Sequence, residues 1–117
     1  MRVFISFVNK KEKKDYNKNM ASSKEYYEYV LDLLREVDGI TTKKMMGEYI
    51  IYKDEVIVGG IYDNRFLIKK TKSLASYSLK PQIPYPGAKE MLLVDSEDVD
   101  VIKELIITAF RDIINKD

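Results

Sequence analysis

The sequence predicts an α+β domain: an antiparallel β-meander sheet of four to five strands, flanked by an N-terminal and a C-terminal amphipathic helix. Four short runs rich in β-forming residues follow one another within residues 43–70, separated by hairpin-sized connections. An apolar stripe of helical period lies on each side of these runs. Two such helices and one sheet can bury one another's apolar faces, and this indicates a two-layer fold.

The first helix has clear signals at both ends. Ser22 and Glu25 have the spacing of a capping box, in which the Ser hydroxyl accepts from the third helical amide while the Glu reaches back. Apolar residues then recur at intervals of three and four as far as Val37, and Asp38-Gly39 is typical of a left-handed terminator. We therefore expect a helix over about residues 23–38.

Turn-forming residues define the connections of the meander. We expect hairpin turns at Gly47-Glu48, at Lys53-Asp54-Glu55 and at Asp63-Asn64. The pair Gly59-Gly60 lies inside a run and not before a helix, so it does not resemble a phosphate-binding loop. It is open to two interpretations, a β-bulge or close backbone approach on one hand and room for a ligand on the other.

The chain after the meander is less regular. A weak helical spacing over residues 71–79 predicts a short helix. Three prolines fall within residues 80–87, and we expect no regular structure there because proline cannot donate a backbone hydrogen bond. The apolar run Met91-Leu92-Leu93-Val94 predicts one more strand.

The final helix combines an acidic start with a wide apolar stripe. We expect Asp95 or Ser96 to cap it, with further acidic residues at its positive end. This acidic run could also bind Ca²⁺ or Mg²⁺, but it lacks the Gly-centred loop and closing Glu of an EF-hand, so capping is the favoured interpretation. The predicted buried stripe consists of Val101, Ile102, Leu105, Ile106, Ala109, Phe110 and Ile113.

Composition excludes most catalytic templates. The chain has no cysteine and no histidine, which removes thiolate chemistry, disulfides, the commonest general base and the commonest transition-metal ligand. Its net charge is only +1 over 117 residues. No apolar run approaches the ~20 residues that a membrane-spanning helix needs, so we expect no membrane association and a cytoplasmic location.

The first nineteen residues differ from the rest. Within residues 1–20, six Lys or Arg side chains stand against only Glu12 and Asp15, whereas the remainder is slightly acidic. We predict a basic N-terminal extension over 1–19 and one domain over 20–117. The extension is either the product of an upstream start site or a basic arm for nucleic acid.

The sequence contains basic residues that could form a binding surface, but no catalytic set, metal site or cofactor motif. Lysines on strand edges commonly prevent sheets from pairing, and the same lysines can hold an anion. Lys44, Arg65 and Lys69 are the binding residues that we predict. We expect them to project from adjacent strands and to meet an acidic patch on a partner protein.

Several short segments occur in an order that identifies a family resemblance. They are Lys44-Met45-Met46-Gly47, Tyr49 with Tyr52, Arg65-Phe66-Leu67-Ile68-Lys69, and Pro84-Tyr85. In this order the chain resembles, over about residues 21–115, the N-terminal domain of the TfoX/Sxy competence-regulator family in a stand-alone form. The resemblance implies a fold like those of secretion chaperones and a regulatory role in DNA-uptake competence, without catalysis.

Two functional hypotheses follow. The first is a non-catalytic regulatory or protein-interaction module, and the second is a small enzyme or a small-molecule or anion-binding protein that uses a pocket between sheet and helices. Direct nucleic-acid binding ranks third, because the body is slightly acidic and lacks an aromatic-basic RNA motif. We expect a protein partner, and a homodimer is left open.

Overall fold

The computed structural model describes residues 22–115, so the predicted extension over 1–19 lies outside the described part of the chain. The described elements, in chain order, are α1 (Lys24–Leu33), β1 (Ile40–Met45), β2 (Glu48–Lys53), β3 (Val56–Ile61), β4 (Phe66–Lys69), a 3₁₀ helix (Lys72–Tyr77), β5 (Pro81–Gln82), β6 (Met91–Leu93) and α2 (Val99–Asn115). The strands form one antiparallel sheet in the order β1-β2-β3-β4-β6-β5. The predicted α+β class, with a helix at each end, is confirmed. Within residues 22–115, no helix is long and apolar enough to cross a membrane.

One strand lies where none was expected. Pro81 and Gln82 form β5 by pairing with Leu92 and Met91, although the proline-rich segment was predicted to lack regular structure. The prediction was wrong for these two residues because β5 is an edge strand, and an edge position tolerates a residue without an N–H.

Three two-residue turns connect the first four strands. Both residues of each turn have positive φ: 53° and 85° at Met46-Gly47, 48° and 69° at Asp54-Glu55, and 53° and 57° at Asp63-Asn64. This is the signature of type I′ turns, whose twist matches that of the flanking strands. The first turn lies one residue earlier than predicted, because Glu48 belongs to the ladder and pairs with Met45.

The first helix is shorter than predicted. It ends at Leu33, and the N–H of Leu34 donates to the carbonyls of both Val30 and Leu31 at 3.1 Å. The N–H of Val37 then donates to the Leu34 carbonyl at 3.0 Å. These three-residue bonds tighten the chain into 3₁₀-type turns before it enters β1.

The N-caps of both helices differ from the predicted ones. Ser23, and not Ser22, caps α1 by accepting from the N–H of Tyr26 at 3.0 Å. Asp98 caps α2, because its Oδ1 accepts from the N–H groups of Asp100 at 2.9 Å and Val101 at 3.2 Å. The expectation of a cap at Asp95 or Ser96 was therefore wrong, since α2 starts only at Val99.

The core lies between one face of the sheet and the two helices. On α2, Leu105 is only 1% exposed, Phe110 packs at the rim of the core, and Val101 is 39% exposed. The predicted stripe is thus correct in its centre and too wide on one side. The buried residues that join sheet and helices include Val30, Tyr49, Ile51, Ile61, Phe66, Ile68, Ile102, Leu105, Ile106 and Ala109.

The glycine pair in β3 is a site of close packing beside a bulge. The register shifts between Ile51 and Tyr52, which leaves Val58 as an extra residue in β3. A Cβ at Gly59 would collide with the backbone of β4, and a Cβ at Gly60 would lie 2.6 Å from the Tyr62 ring. The predicted bulge and close approach are confirmed, and the Tyr62 ring fills the space over Gly60.

Candidate functional site

The sheet has a second face, turned away from the helices. Tyr49 stacks on Tyr27 of α1 with ring centroids 3.9 Å apart, so its side of β2 is covered by the helix. Side chains alternate along a strand, and therefore Glu48 and Ile50 point to the second face. Met45 shares this face, because it is the direct partner of Glu48 across the β1–β2 pair.

Four residues form a row across the second face, at the end where two of the type I′ turns lie. Met45 pairs with Glu48, and extending the β2–β3 register by one pair places Glu48 opposite Tyr62. Tyr62 and Arg65 in turn exchange backbone hydrogen bonds of 2.9 and 3.0 Å. We call these four residues the turn row.

Arg65 attaches the proline-rich segment to the turn row. Its Nε donates to the Tyr62 carbonyl at 3.1 Å. Its Nη1 donates to Gln82 Oε1 at 2.9 Å and to the Ile83 carbonyl at 3.2 Å, and its Nη2 donates to the Pro84 carbonyl at 2.9 Å. The guanidinium thus donates to four oxygens, and three of them belong to residues 82–84 of the proline-rich segment. The geometry of this segment therefore depends on one side chain.

An open cleft of about 520 Å³ lies between the turn row and this segment. Its wall on the turn side is charged, and its other wall is apolar. Tyr85, 57% exposed, forms part of the apolar wall and contacts Tyr62 with ring centroids 6.1 Å apart. We call it the proline-loop cleft, and its lining residues are Glu48, Asp63, Arg65, Ile83, Pro84, Tyr85 and Pro86.

Glu48 joins two hairpin turns to the start of α1. Its Oε1 accepts from the Ser22 hydroxyl and from the Asp63 N–H, both at 3.1 Å. The N–H of Asn64 donates to Ser22 Oγ at 3.0 Å, and Asn64 Oδ1 accepts from the Ser23 N–H at 2.9 Å. This network fixes the charged wall of the cleft.

Burial perturbs the titration of two groups in the turn row. Desolvation raises the pKa of the Glu48 carboxyl above its usual value, although the hydrogen bonds from Asp63 and Ser22 oppose the shift. Burial also raises the pKa of the Tyr62 hydroxyl, and the nearby Tyr85 and Glu48 add to that effect. Both groups are therefore in an environment from which water is partly excluded.

Apolar side chains are exposed in the cleft wall and on the hairpin that leads into Glu48. Met46, at the tip of the β1–β2 hairpin, is 97% exposed, and Met45 beside Glu48 is 47% exposed. Ile83 and Tyr85 are 52% and 57% exposed on the other wall. Ile83 and Tyr85 line the same cleft, and exposed apolar residues that share one cleft, unlike single scattered ones, are typical of an interaction site.

Comparison with known proteins identifies a relative that matches most of the chain. No family model matches the chain. It is 37% identical over 87 residues to the uncharacterized 12.7 kDa protein in the trpE 5′ region of Spirochaeta aurantia, and the match covers 73% of this chain and 72% of that protein. The chain belongs to the same family as this spirochaete protein.

The structure does not bring the three predicted binding residues, Lys44, Arg65 and Lys69, together. Lys44 lies on edge strand β1, on the helix-covered face, with its Nζ 5.9 Å from the Tyr49 ring centroid. Arg65 immediately precedes β4 and Lys69 ends it, and β2 and β3 separate β4 from β1. The expectation that these residues project from adjacent strands was wrong, because three successive short hairpins place β1 three strands from β4.

Sequence reasoning missed the carboxylates of the cleft. Glu48 and Asp63 were predicted only as residues of hairpin turns. The signal that could have found them was the strand register, because two-residue turns of type I′ fix which residues face each other. Within residues 22–115, no group of three or more acidic side chains is close enough to hold a metal ion.

Proposed function

We propose that the chain is a non-catalytic protein-interaction module, whose contact surface is the turn row and the proline-loop cleft. The observation that carries this proposal is the exposure of Ile83 and Tyr85 in the cleft wall, at 52% and 57%, together with that of Met46, 97% exposed, at the tip of the hairpin that leads into Glu48. A thioether adapts to irregular partner surfaces, and tyrosine and methionine are enriched at protein interfaces.

The rigidity of this surface also supports the proposal. The type I′ turns, the Glu48 network and the Arg65 hydrogen bonds hold both walls of the cleft before any partner arrives. A preorganised surface loses less conformational entropy on binding. The exposed apolar groups are therefore held in one geometry in the free protein, and a partner can bind them without ordering the surface first.

A regulatory role like that of the TfoX/Sxy N-terminal domain is part of this proposal. Three of the segments that carry the resemblance, Lys44–Gly47, Arg65–Lys69 and Pro84-Tyr85, contribute residues to the turn row, the hairpin tip or the cleft. We propose a cytoplasmic location and a protein partner. Lys44 and Lys69 lie outside the cleft, so we assign the central contacts to other residues.

Small-molecule binding is the second candidate, and the cleft is the observation that favours it. Its volume of about 520 Å³ is within the range of ligand pockets. The interface between sheet and helices, where such a pocket was expected, is lined by buried apolar side chains. A small ligand would thus use the proline-loop cleft, where the guanidinium of Arg65 already donates to four oxygens.

Affinity capture with matched variants tests the proposal. The full chain, Met46→Ser, Tyr85→Ser and the control Val101→Ser would be immobilised and exposed to an extract of the source cell. Val101 is an exposed apolar residue of α2, so its variant makes a similar change away from the cleft. We expect a protein captured by the full chain and by Val101→Ser, and lost with the other two. Equal capture by all four, or steady turnover in a substrate screen, would contradict the proposal.

A further inference from the structure

The charged wall of the proline-loop cleft has an excess of negative charge. Glu48 and Asp63 line it, and their charge is opposed only by Arg65 among the lining residues. Within residues 22–115, the ion pairs involve other side chains, and neither Glu48 nor Asp63 takes part in one. The two carboxylates therefore face the cleft without a cationic partner in contact.

Arg65 forms no ion pair with either carboxylate, and four of its five N–H donors are used in hydrogen bonds to other groups. Its Nε, Nη1 and Nη2 donate to the carbonyls of Tyr62, Ile83 and Pro84 and to the side chain of Gln82. Its charge weakens the negative potential of the cleft and does not cancel it. Arg65 is a structural clamp of the proline segment, and the carboxylates stay available.

The Glu48 carboxylate has a free acceptor. Both of its hydrogen bonds, from the Ser22 hydroxyl and the Asp63 N–H, go to Oε1. Within the described residues, Oε2 accepts none. A carboxylate held by one oxygen and free at the other is oriented to accept a charge-assisted hydrogen bond from an ammonium or guanidinium group. The partial desolvation of Glu48 strengthens such a bond.

The apolar wall fits the rest of a long basic side chain. Lysine and arginine have a hydrocarbon stem that packs on apolar surface while the charged end stays polar. Ile83, Pro84, Tyr85 and Pro86 offer that surface directly across the cleft. The exposed ring of Tyr85 can also attract a cation held over its face.

We propose that the proline-loop cleft binds a lysine or arginine side chain from an extended segment of a partner protein. This inference rests on the contact surface proposed above and gives the partner its chemistry. The partner group is therefore basic, in contrast to the acidic patch that was expected to meet Lys44, Arg65 and Lys69. The carboxylates of Glu48 and Asp63 are exposed to the cleft, whereas the Arg65 guanidinium is hydrogen-bonded to other parts of the fold. The stem lies on the proline wall, and the charged end lies between Glu48 and Asp63.

Defined peptides test the inference without knowledge of the natural partner. The full chain, labelled with ¹⁵N, would be titrated with acetyl-Leu-Lys-Leu-amide and with two matched peptides that carry norleucine or Glu in place of Lys. We expect the Lys peptide alone to shift the amide resonances of Asp63, Asn64 and Tyr85. We expect this binding to weaken as salt is added.

Charge-neutral variants locate the binding. In Glu48→Gln the side-chain carbonyl can still accept from Ser22 and Asp63, so the network is kept while the charge is removed. We expect Glu48→Gln and Asp63→Asn each to weaken the Lys peptide about two- to fivefold, the range for partly exposed charge pairs. The control Glu36→Gln removes an exposed carboxylate that follows α1. This variant should bind the Lys peptide with the same affinity as the unsubstituted chain.

The outcomes separate this inference from the proposed function. Equal binding of the Lys, norleucine and Glu peptides, or equal affinities for Glu48→Gln and Glu36→Gln, would overturn the basic side chain as the ligand. If the peptides fail in this way but Tyr85→Ser still loses the captured partner, the proposed contact surface stands and only the basic side chain as its ligand is excluded. If the Lys peptide binds as expected but Tyr85→Ser leaves capture unchanged, the cation site stands and the protein-contact function fails.

Discussion

The Ser22 hydroxyl donates a 3.1 Å hydrogen bond to the Glu48 carboxylate, which lies 26 residues further along the chain. This bond connects the residue before the α1 cap to the strand that follows the first hairpin turn. Ser22 also accepts from the Asn64 N–H, so one hydroxyl links α1 to two turns. The charged wall of the cleft is therefore built by tertiary contacts and not by any local motif.

The raised pKa of Glu48 predicts a pH-dependent effect of Glu48→Gln. A carboxyl whose pKa is higher in the folded than in the unfolded state favours folding when protonated, and this contribution is lost as the pH rises through the folded pKa. At pH 7 the neutral variant should thus be more stable than the original chain. The difference should shrink towards zero as the pH falls below the ordinary value of 4.5.

Urea unfolding of both chains between pH 7 and pH 4 measures this effect, with Glu36→Gln as the control for removal of one exposed charge. A Glu48→Gln chain that is less stable than the original at pH 7 would show that the hydrogen bonds from Ser22 and Asp63 outweigh the desolvation of the carboxylate.

Asp98 and Asp95 should respond differently to alanine. Asp98→Ala removes the acceptor of two α2 amides and should cost ~0.5–2 kcal/mol of unfolding free energy, the usual range for an N-cap. Asp95→Ala removes an exposed carboxylate outside the helix and should change stability by less than ~0.5 kcal/mol. Equal costs in chemical denaturation would argue against Asp98 as the cap.

Leu105 and Val101 provide a matched test of the α2 packing. Leu105→Ala should cost ~2–5 kcal/mol, because a side chain that is 1% exposed leaves a cavity. Phe110→Ala should cost less than Leu105→Ala, since Phe110 lies at the rim under the Lys53 ammonium, 5.3 Å from its ring. Val101→Ala should change stability by less than ~0.5 kcal/mol. Thermal or urea unfolding ranks the three, and a cost for Val101→Ala equal to that of Leu105→Ala would overturn this orientation of α2.

Arg65→Lys should destabilise the proline segment although the charge is kept. Lysine has no planar fork and cannot donate to the carbonyls of Tyr62, Ile83 and Pro84 together. We expect a loss of ~1–3 kcal/mol from carbonyls left unpaired, together with faster amide exchange in residues 82–88. Lys69→Ala, an exposed change at the other end of β4, is the control and should have little effect. Unaltered exchange in Arg65→Lys would mean that the segment is held by its prolines and Tyr85.

The sequence allowed the sheet to be predicted better than the site. Asp54, Asp63 and Asn64 act locally, because Asp and Asn tolerate the positive φ at which a chain reverses, and the predicted meander was correct. The first helix was predicted too long because the apolar period continues to Val37, while the backbone tightens after Leu33. Periodicity reports which side chains are buried and does not report the type of helical turn.

The cleft could not be predicted from local sequence patterns, because the contacts that build it join residues far apart in the chain. The Ser22–Glu48 bond spans 26 residues, and the Arg65 bonds to the proline segment span 17 to 19. No spacing rule connects such positions. Arg65 was predicted as a free binding cation because its acceptors are mostly backbone carbonyls, which every residue possesses and which no pattern of side chains reveals.

Amide hydrogen exchange of the full chain, alone and with the partner recovered by capture, tests the proposed contact surface most directly. A partner seated on the turn row and the proline-loop cleft should slow exchange in residues 45–48, 62–65 and 82–88, and it should leave the exposed side of α2 around Val101 unchanged. Protection confined to α2, or to segments outside these three ranges, would contradict the account.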